Sequence, residues 1–550
     1  MEGRIILYQT KKKDKDKSPR RREENKMVYL RKMREFLSIV FMFIFIVALG
    51  NLVPAYAKAP QVLTVNFRLG ASSLDPHLES ASSANRELTP IYDRLIVMDS
   101  EMKVQPQLAK SWEASKDGRT WILRLRSGVK FHDGTSFNAE AVKFNLERVL
   151  NPATGSFYLP DYSVINSMEI VDDLTIKFNL KYPFATFIRN LGLAGGAMVS
   201  PTAVNKWGKD FGKYGCGTGP FKVEKYIPKD RIEVVRFNEY WQGPAKLERI
   251  VFTNIGDDQA RISALLAGGT DFEETVPGQL LPLVQKNPNI VIQRGPALMV
   301  EYISFNVEVA PFNDPRVRRA AGYAIDMPAI IKNVYDGIGI HASQVVSPLV
   351  FGYDPSIKPY PYDPAKAKQL LVEAGWKDTN NDGILDNQGQ PFKTICYAPN
   401  MPQQVKFVEA FQSYLKQVGM DISIQILDWG GYVASLKAGK APMFILGHGS
   451  SAGDADAALW VFHSSGIPNS NRARYSNPEF DKLCEEERKE MDPNKRLKLL
   501  QKGIKMLVDD APLIYSFTRE SIIAHYKKVK GFKLHPNDYY MDFYPVYIED

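Results

Sequence analysis

The sequence predicts an α/β protein of two or three packed lobes, and three observations predict it. A chain of 550 residues exceeds what one hydrophobic core ordinarily holds. Hydrophobic residues make up 44% and charged residues 24%, the balance of a folded globular protein. After a β-rich first part, residues from about 306 to 511 alternate helical and strand patterns, the order that builds an α/β layer. No internal repeat or long linker separates these parts, so the lobes are expected to touch closely.

The formal net charge of +8 suggests acidic partners until it is located. Residues 1–57 hold 13 Lys/Arg and 6 Asp/Glu, leaving 57 basic against 56 acidic residues in the rest. A nearly neutral body gives no general electrostatic reason to hold nucleic acid. The basic excess belongs to an export signal: Arg31, Lys32 and Arg34 precede the apolar run FLSIVFMFIFIVAL at 36–49. Ala55-Tyr56-Ala57 supplies a small-x-small pattern, placing cleavage after Ala57. As a helix the run measures about 21 Å, short for a hydrocarbon core of about 30 Å. That length favours a cleaved signal; an uncleaved anchor, lengthened by Gly50-Asn51-Leu52-Val53, is the alternative. No cysteine follows the run to accept a lipid. The stretch 1–26 is longer than a signal's basic end needs, so it reads as a tail, or Met27 or Met33 as the start.

The mature chain opens on a strand, QVLTVNF at 61–67, followed by the polar loop RLGASSLDPHLES. In TWILRLR at 120–126, Trp121, Leu123 and Leu125 share one face and Ile122, Arg124 and Arg126 the other. Asp117-Gly118 before it signals a hairpin turn, and Asp172-Asp173 separates SMEIV from LTIKFNL in a second hairpin. A further strand is expected over 247–253. Four helices start on Asp or Asn followed by proline: Asp314-Pro315, Asp363-Pro364, Asn477-Pro478 and Asp492-Pro493. The capping side chain accepts an otherwise unpaired N–H, and proline's missing N–H costs nothing at the first helical position. YDPAKAKQLLVEAGW stops at Gly375; residues 407–419 form the next helix, and DISIQIL at 421–427 the strand after it.

Motifs with chemical content are few. GCGTGPF at 215–221 resembles a phosphate loop, but Pro220 stands where a helix would propagate and no Lys-Ser/Thr follows, so a tight turn into a strand is expected. DTNNDGILD, from Asp378 to Asp386, opens like a calcium loop, yet Gly389 occupies the place of the bidentate glutamate. It reads as a turn closed by its own side chains, with calcium as the alternative. Cys216, Cys396 and Cys484 allow one disulfide in an oxidising compartment without fixing the pair, and read otherwise as small buried residues. The seven histidines are scattered, and no nucleophile elbow, zinc helix or acid pair appears. Neither catalysis nor a cofactor is expected.

Seven segments in order do stand out. They are SSLDPH at 72–77, LAKSWEASKDGRTWILRLRSGVKFHDGTSFNAEAVKFNLERVL at 108–150, GTGPFKVEKY at 217–226, NEYWQGPAKLERIVF at 238–252, DPRVRRAAGYAID at 314–326, YPYDPAKAKQLLVEAGW at 360–376 and YSNPEFDKL at 475–483. Together they resemble the family 5 extracytoplasmic solute-binding proteins of ATP-binding-cassette importers, the dipeptide, oligopeptide and nickel-binding group, over roughly 62–525. The resemblance implies a periplasmic-binding-protein fold of the large type II class: two α/β lobes joined by two crossing strands. Lobe I would comprise 58–300 and 516–550, with an extra subdomain inserted at about 101–214, and lobe II 301–515. It further implies a periplasmic monomer that binds a small peptide-like ligand between its lobes and meets permease subunits with a cytoplasmic ATPase. A nickel-type metal or chelate receptor, or a membrane-anchored binding or signalling protein, is the alternative.

Peptide-binding members hold the ligand's α-ammonium on an aspartate following a Gly-Trp pair. Here ILGHGSSAGDADAALWVF at 445–462 puts His448 in the tryptophan's place and Ser451 in the aspartate's. The pattern Ser450, Ser451, Gly453, Asp454, Ala455, Asp456 is similar to the glutathione-binding branch, as is YISFNVEVAPFNDPRVRRA at 302–320, which opens on Tyr302. The resemblance implies hydrogen bonds from Ser450 and Ser451, and an amine held by Asp454 or Asp456 unless these acids cap a helix starting near Ala455. His448 would stack or hydrogen-bond in the cleft. Arg472 and Arg474 are candidates for a ligand carboxylate, where a planar two-pronged donor is useful, unless they lie on the surface. Ser72, Ser73 and Tyr302 complete the expected ligand-binding set.

Overall fold

The computed structural model describes residues 19–50 and 61–549. Helix Pro19–Gly50 contains the apolar run, whereas the cleavage position after Ala57 lies outside the described residues. Among the described residues no helix is long and apolar enough to cross a membrane.

Residues 61–549 are organised on one eleven-stranded sheet shared by two lobes. Its centre is a pair of long antiparallel strands, Ile290–Phe305 and Leu513–Tyr526. At one end Phe272–Glu273 pairs with the second of these, and Val62–Phe67, Arg249–Asn254, Arg231–Arg236 and Phe221–Ile227 follow outward. At the other end Met443–Gly449 pairs with the first, followed by Lys393–Pro399 and Asp421–Leu427. Each long strand therefore runs from one lobe into the other. Their ladder slips twice between the lobes. Pro296 faces Glu520 and Val300 faces Thr518, so the first strand carries two extra residues there; Glu301 faces Phe517 and Tyr302 faces Tyr515, leaving Ser516 as a bulge. Proline has no N–H for the ladder, and a bulge bends and twists a strand. The two slips mark the joint between the paired segments.

The expected local structure is largely present. Strand Val62–Phe67 buries Leu63, Val65 and Phe67 completely. A separate sheet runs in the order Ala109–Ala114, Thr120–Leu125, Thr175–Leu180, Ile165–Asp172, with both hairpins at the expected turns. Trp121, Leu123 and Leu125 form its buried face, on which helix Ala139–Leu150 belongs to the same core. GCGTGPF is a turn into strand Phe221–Ile227, and a side chain at Gly219 would stand 2.5 Å from the Pro90 carbonyl oxygen. All four Asx-Pro helices are capped as expected, by Asp314, Asp363, Asn477 and Asp492. Gly375, at φ +91°, ends helix Pro364–Glu373.

Three readings are corrected or sharpened. The helix expected from 407 starts at Pro402, where Met401 offers no capping side chain. The strand expected over 247–253 is Arg249–Asn254. The three cysteines are separate buried thiols, with burial pushing Cys216 and Cys396 up to about 12. In the calcium-like turn, Asp378 accepts from the Gly383 N–H at 3.0 Å, Asn380 from Asp382 at 3.0 Å, Asp382 from Ile384 at 2.8 Å and Asp386 from Thr379 at 2.9 Å. Its side-chain oxygens are engaged within the turn.

Candidate functional site

A cavity of about 690 Å³ opens between segments of the two lobes. One wall comes from Phe157, Tyr158, Asp161, Tyr182, Phe184, Thr186 and Asn190; the facing wall from His448, Ser451, Asp454, Asp456, Trp460 and Arg488; Asn537 and Tyr539 close one side. The size is that of a small-molecule site, and aromatic walls with a few polar groups suit one. The first wall consists of short turns, so side chains fix it. The Tyr158 hydroxyl donates to the Glu79 carbonyl at 2.6 Å, Tyr162 donates to the Asn190 carbonyl at 2.8 Å, and Asn190 Nδ2 donates to the Asp161 carbonyl at 2.9 Å.

Behind the second wall lies an acid–arginine cluster. Arg496 donates to both oxygens of Asp454 at 2.8 and 2.7 Å and to Glu487 Oε2 at 3.0 and 2.8 Å. Arg488 grips Asp456 with two nitrogens while its guanidinium carbon lies 3.4 Å from the Trp460 ring centre. Arg189, from the first wall's side, donates to the carbonyls of Met102 at 3.1 Å and Ala452 at 3.0 Å, with its Nε 3.6 Å from Asp454. Burial opposes ionisation of Asp456, but Arg488, with Glu487 and Arg496 adding to it, holds the carboxyl below the usual range. Burial, with Asp456 adding to it, drives Glu487 well above that range. The amine-holding role expected of Asp454 and Asp456 is therefore already filled by arginine. Asp454 also accepts from the Asp456 N–H at 3.0 Å, at the start of helix Asp456–Trp460, which is the capping alternative in part.

The remaining expected residues divide. His448 and Ser451 line the cavity. His448 is next to last in strand Met443–Gly449, opposite Val300; burial lowers its pKa to about 4, so the ring is neutral at neutral pH, and Nε2 has no partner among the described residues. The Ser451 carbonyl accepts from Asn537 Nδ2 at 2.9 Å. Ser450 is buried beside the cavity, its hydroxyl unpartnered among the described residues. Tyr302 is a core residue of the first long strand, its ring 6.3 Å from that of Phe462. Arg472 and Arg474 do not line the cavity: Arg474, at φ +56°, donates to the Lys437 carbonyl at 3.1 Å, and Arg472 is half-buried. Ser72 donates to Glu79 at 2.8 Å and Ser73 accepts from the Asp75 N–H at 3.0 Å, both in a loop outside the cavity lining. Sequence reasoning missed Tyr158, Asp161, Thr186, Trp460 and Arg488. Trp460 and Arg488 sit in helices whose register was readable; the others lie in aperiodic turns that give no signal.

Comparison with known proteins places this geometry. A model of the family described as "Bacterial extracellular solute-binding proteins, family 5 Middle" matches residues 103–470. The glutathione-binding protein GsiB of Escherichia coli K12 is 34% identical over 504 residues, covering 90% of this chain and 96% of that one. Among solved structures, the periplasmic binding protein DppA of Helicobacter pylori, in complex with the peptide STSA, has a TM-score of 0.72 at 28% identity, covering 89% of this chain and 98% of its own. HbpA2 of Haemophilus parasuis has a TM-score of 0.79 at 25% identity, covering 89% and 100%. With the two lobes, the crossing strands and a cavity between them, these matches show that the chain belongs to the bacterial extracellular solute-binding proteins of family 5.

Proposed function

We propose that this chain is the periplasmic receptor of an ATP-binding-cassette importer, capturing glutathione or a short modified peptide between its lobes and delivering it to the permease. The cavity carries the reading: its walls come from different lobes, so a solute touching both stabilises the closed arrangement over an open one. The protein works as a monomer released after Ala57 and performs no catalysis. Lobe I comprises 58–300 with 516–550, its inserted subdomain 101–214, and lobe II 301–515. The ladder slips at Pro296/Val300 and Glu301/Tyr302 support those boundaries. The preference for glutathione over plain dipeptides rests on the GsiB relative and on Ser451 and His448 in the wall.

Calorimetric titration of the mature protein with glutathione, di- and tripeptides and nickel chelates tests this, with native mass spectrometry for a co-purified solute. Binding of glutathione or a tripeptide is expected. Absence of binding or thermal stabilisation across the panel would reject the receptor reading, and binding of a nickel chelate alone would replace it.

A further inference from the structure

Within that receptor reading, on which this inference rests, we propose that Asp161 is the ammonium anchor, so that the solute's free amino group is held by the first wall of the cleft rather than by the 448–456 segment. Three carboxylates line the cavity: Asp161, Asp454 and Asp456. The last two are committed to Arg496 and Arg488. Asp161 has neither an ion pair nor a side-chain hydrogen bond among the described residues. Asp161 is half-buried in the wall; a carboxylate partly withdrawn from water without a counter-ion is disfavoured, and a ligand ammonium offsets that cost.

The surroundings suit a cation. Asp161 stands on the short turn of helix Leu159–Tyr162, fixed through its carbonyl by Asn190. On the same wall the Thr186 hydroxyl is buried and unpartnered among the described residues, a second acceptor for an N–H. The titratable groups that sense Asp161 are the phenols of Tyr162 and Tyr539, both uncharged at neutral pH. Burial alone raises the Asp161 carboxyl to about 6, with no basic group opposing it. An ammonium favours the ionised form, so binding releases a proton at pH near that value and weakens as pH falls through it.

Glutathione, trialanine and their N-acetylated forms serve as probes, titrated into the wild-type protein and Asp161→Asn at about pH 7 and about pH 5. The free amine of whichever probe binds should lose about tenfold or more in affinity on acetylation, and about as much in Asp161→Asn. The two losses should not add, because both remove the same contact. The wild-type affinity should fall at the lower pH and that of the variant stay flat. The variant should melt no lower than the wild type without ligand, since it replaces an unpaired, half-buried charge by a neutral isostere. Equal binding of free and acetylated probes, or full affinity in Asp161→Asn, overturns the anchor and leaves solute capture standing. If the wild type binds no probe, both readings fall together.

Discussion

Arg496→Ala should lower the unfolding free energy by about 3–5 kcal/mol, the range for removing one partner of a buried ion cluster. Arg496 is nearly inaccessible and makes four charged hydrogen bonds, two to Asp454 and two to Glu487, with Asp456 in the same network. Without it Asp454 keeps the Asp456 N–H and the looser contact with Arg189, and Glu487 loses its guanidinium partner. The alternative, that desolvation makes the pair nearly neutral to stability, applies when all charges are replaced together and not when one is removed. Arg496→Lys should recover only a part, because an ammonium cannot fork across two carboxylates. The sign with pH is fixed. Glu487, already raised by burial, rises further once Arg496 no longer opposes it, so the variant's deficit is full at neutral pH and shrinks toward about pH 4. In the wild type Asp456 is depressed, so its contribution is lost as pH falls, and the two curves converge. Urea unfolding at both pH values measures this; a deficit under about 1 kcal/mol at neutral pH would show that the cluster relaxes into solvent.

Arg189→Ala should weaken ligand binding about tenfold or more while costing the ligand-free protein far less stability. Arg189 touches Met102 on its own side and Ala452, Gly453 and Asp454 on the other. The Ala185 N–H reaches the Arg488 carbonyl at 2.9 Å along the same seam. These contacts join the two walls, and a movement that parted the walls would break them. A receptor whose closed form is less populated binds more weakly by that fraction. Small-angle scattering should show a larger radius for the ligand-free variant, and saturating ligand should return it to the wild-type value. Unchanged affinity would show that closure is set at the strands alone.

The parts of this protein legible in sequence are those governed by short-range rules. An Asx side chain caps a helix within three residues, and alternation in TWILRLR sorts buried from exposed within six. The site is different. Asp454 and Asp456 look like free ligand acids because their arginines lie 42 and 32 residues away, a separation with no sequence signature. Asp161 and Thr186 gain their interest from having no side-chain partner among the described residues, which only the assembled walls reveal. Tyr302 and Ser451 follow the family pattern equally well in sequence. Their neighbours place one in the core and the other at the cavity.

The pair of long strands also dictates when the chain can fold. Val62–Phe67 hydrogen-bonds to Phe272–Glu273, which hydrogen-bonds to His525 and Ala524 near the far end of the chain. The first lobe's sheet is thus incomplete until residues after 513 arrive, although the other lobe's strands are synthesised before them. Contacts so distant in sequence close slowly, because loop entropy must be spent before they form. Completion of the central pair, which ties the two ends of the sheet together, therefore waits for the last long strand, and topology itself sets that order.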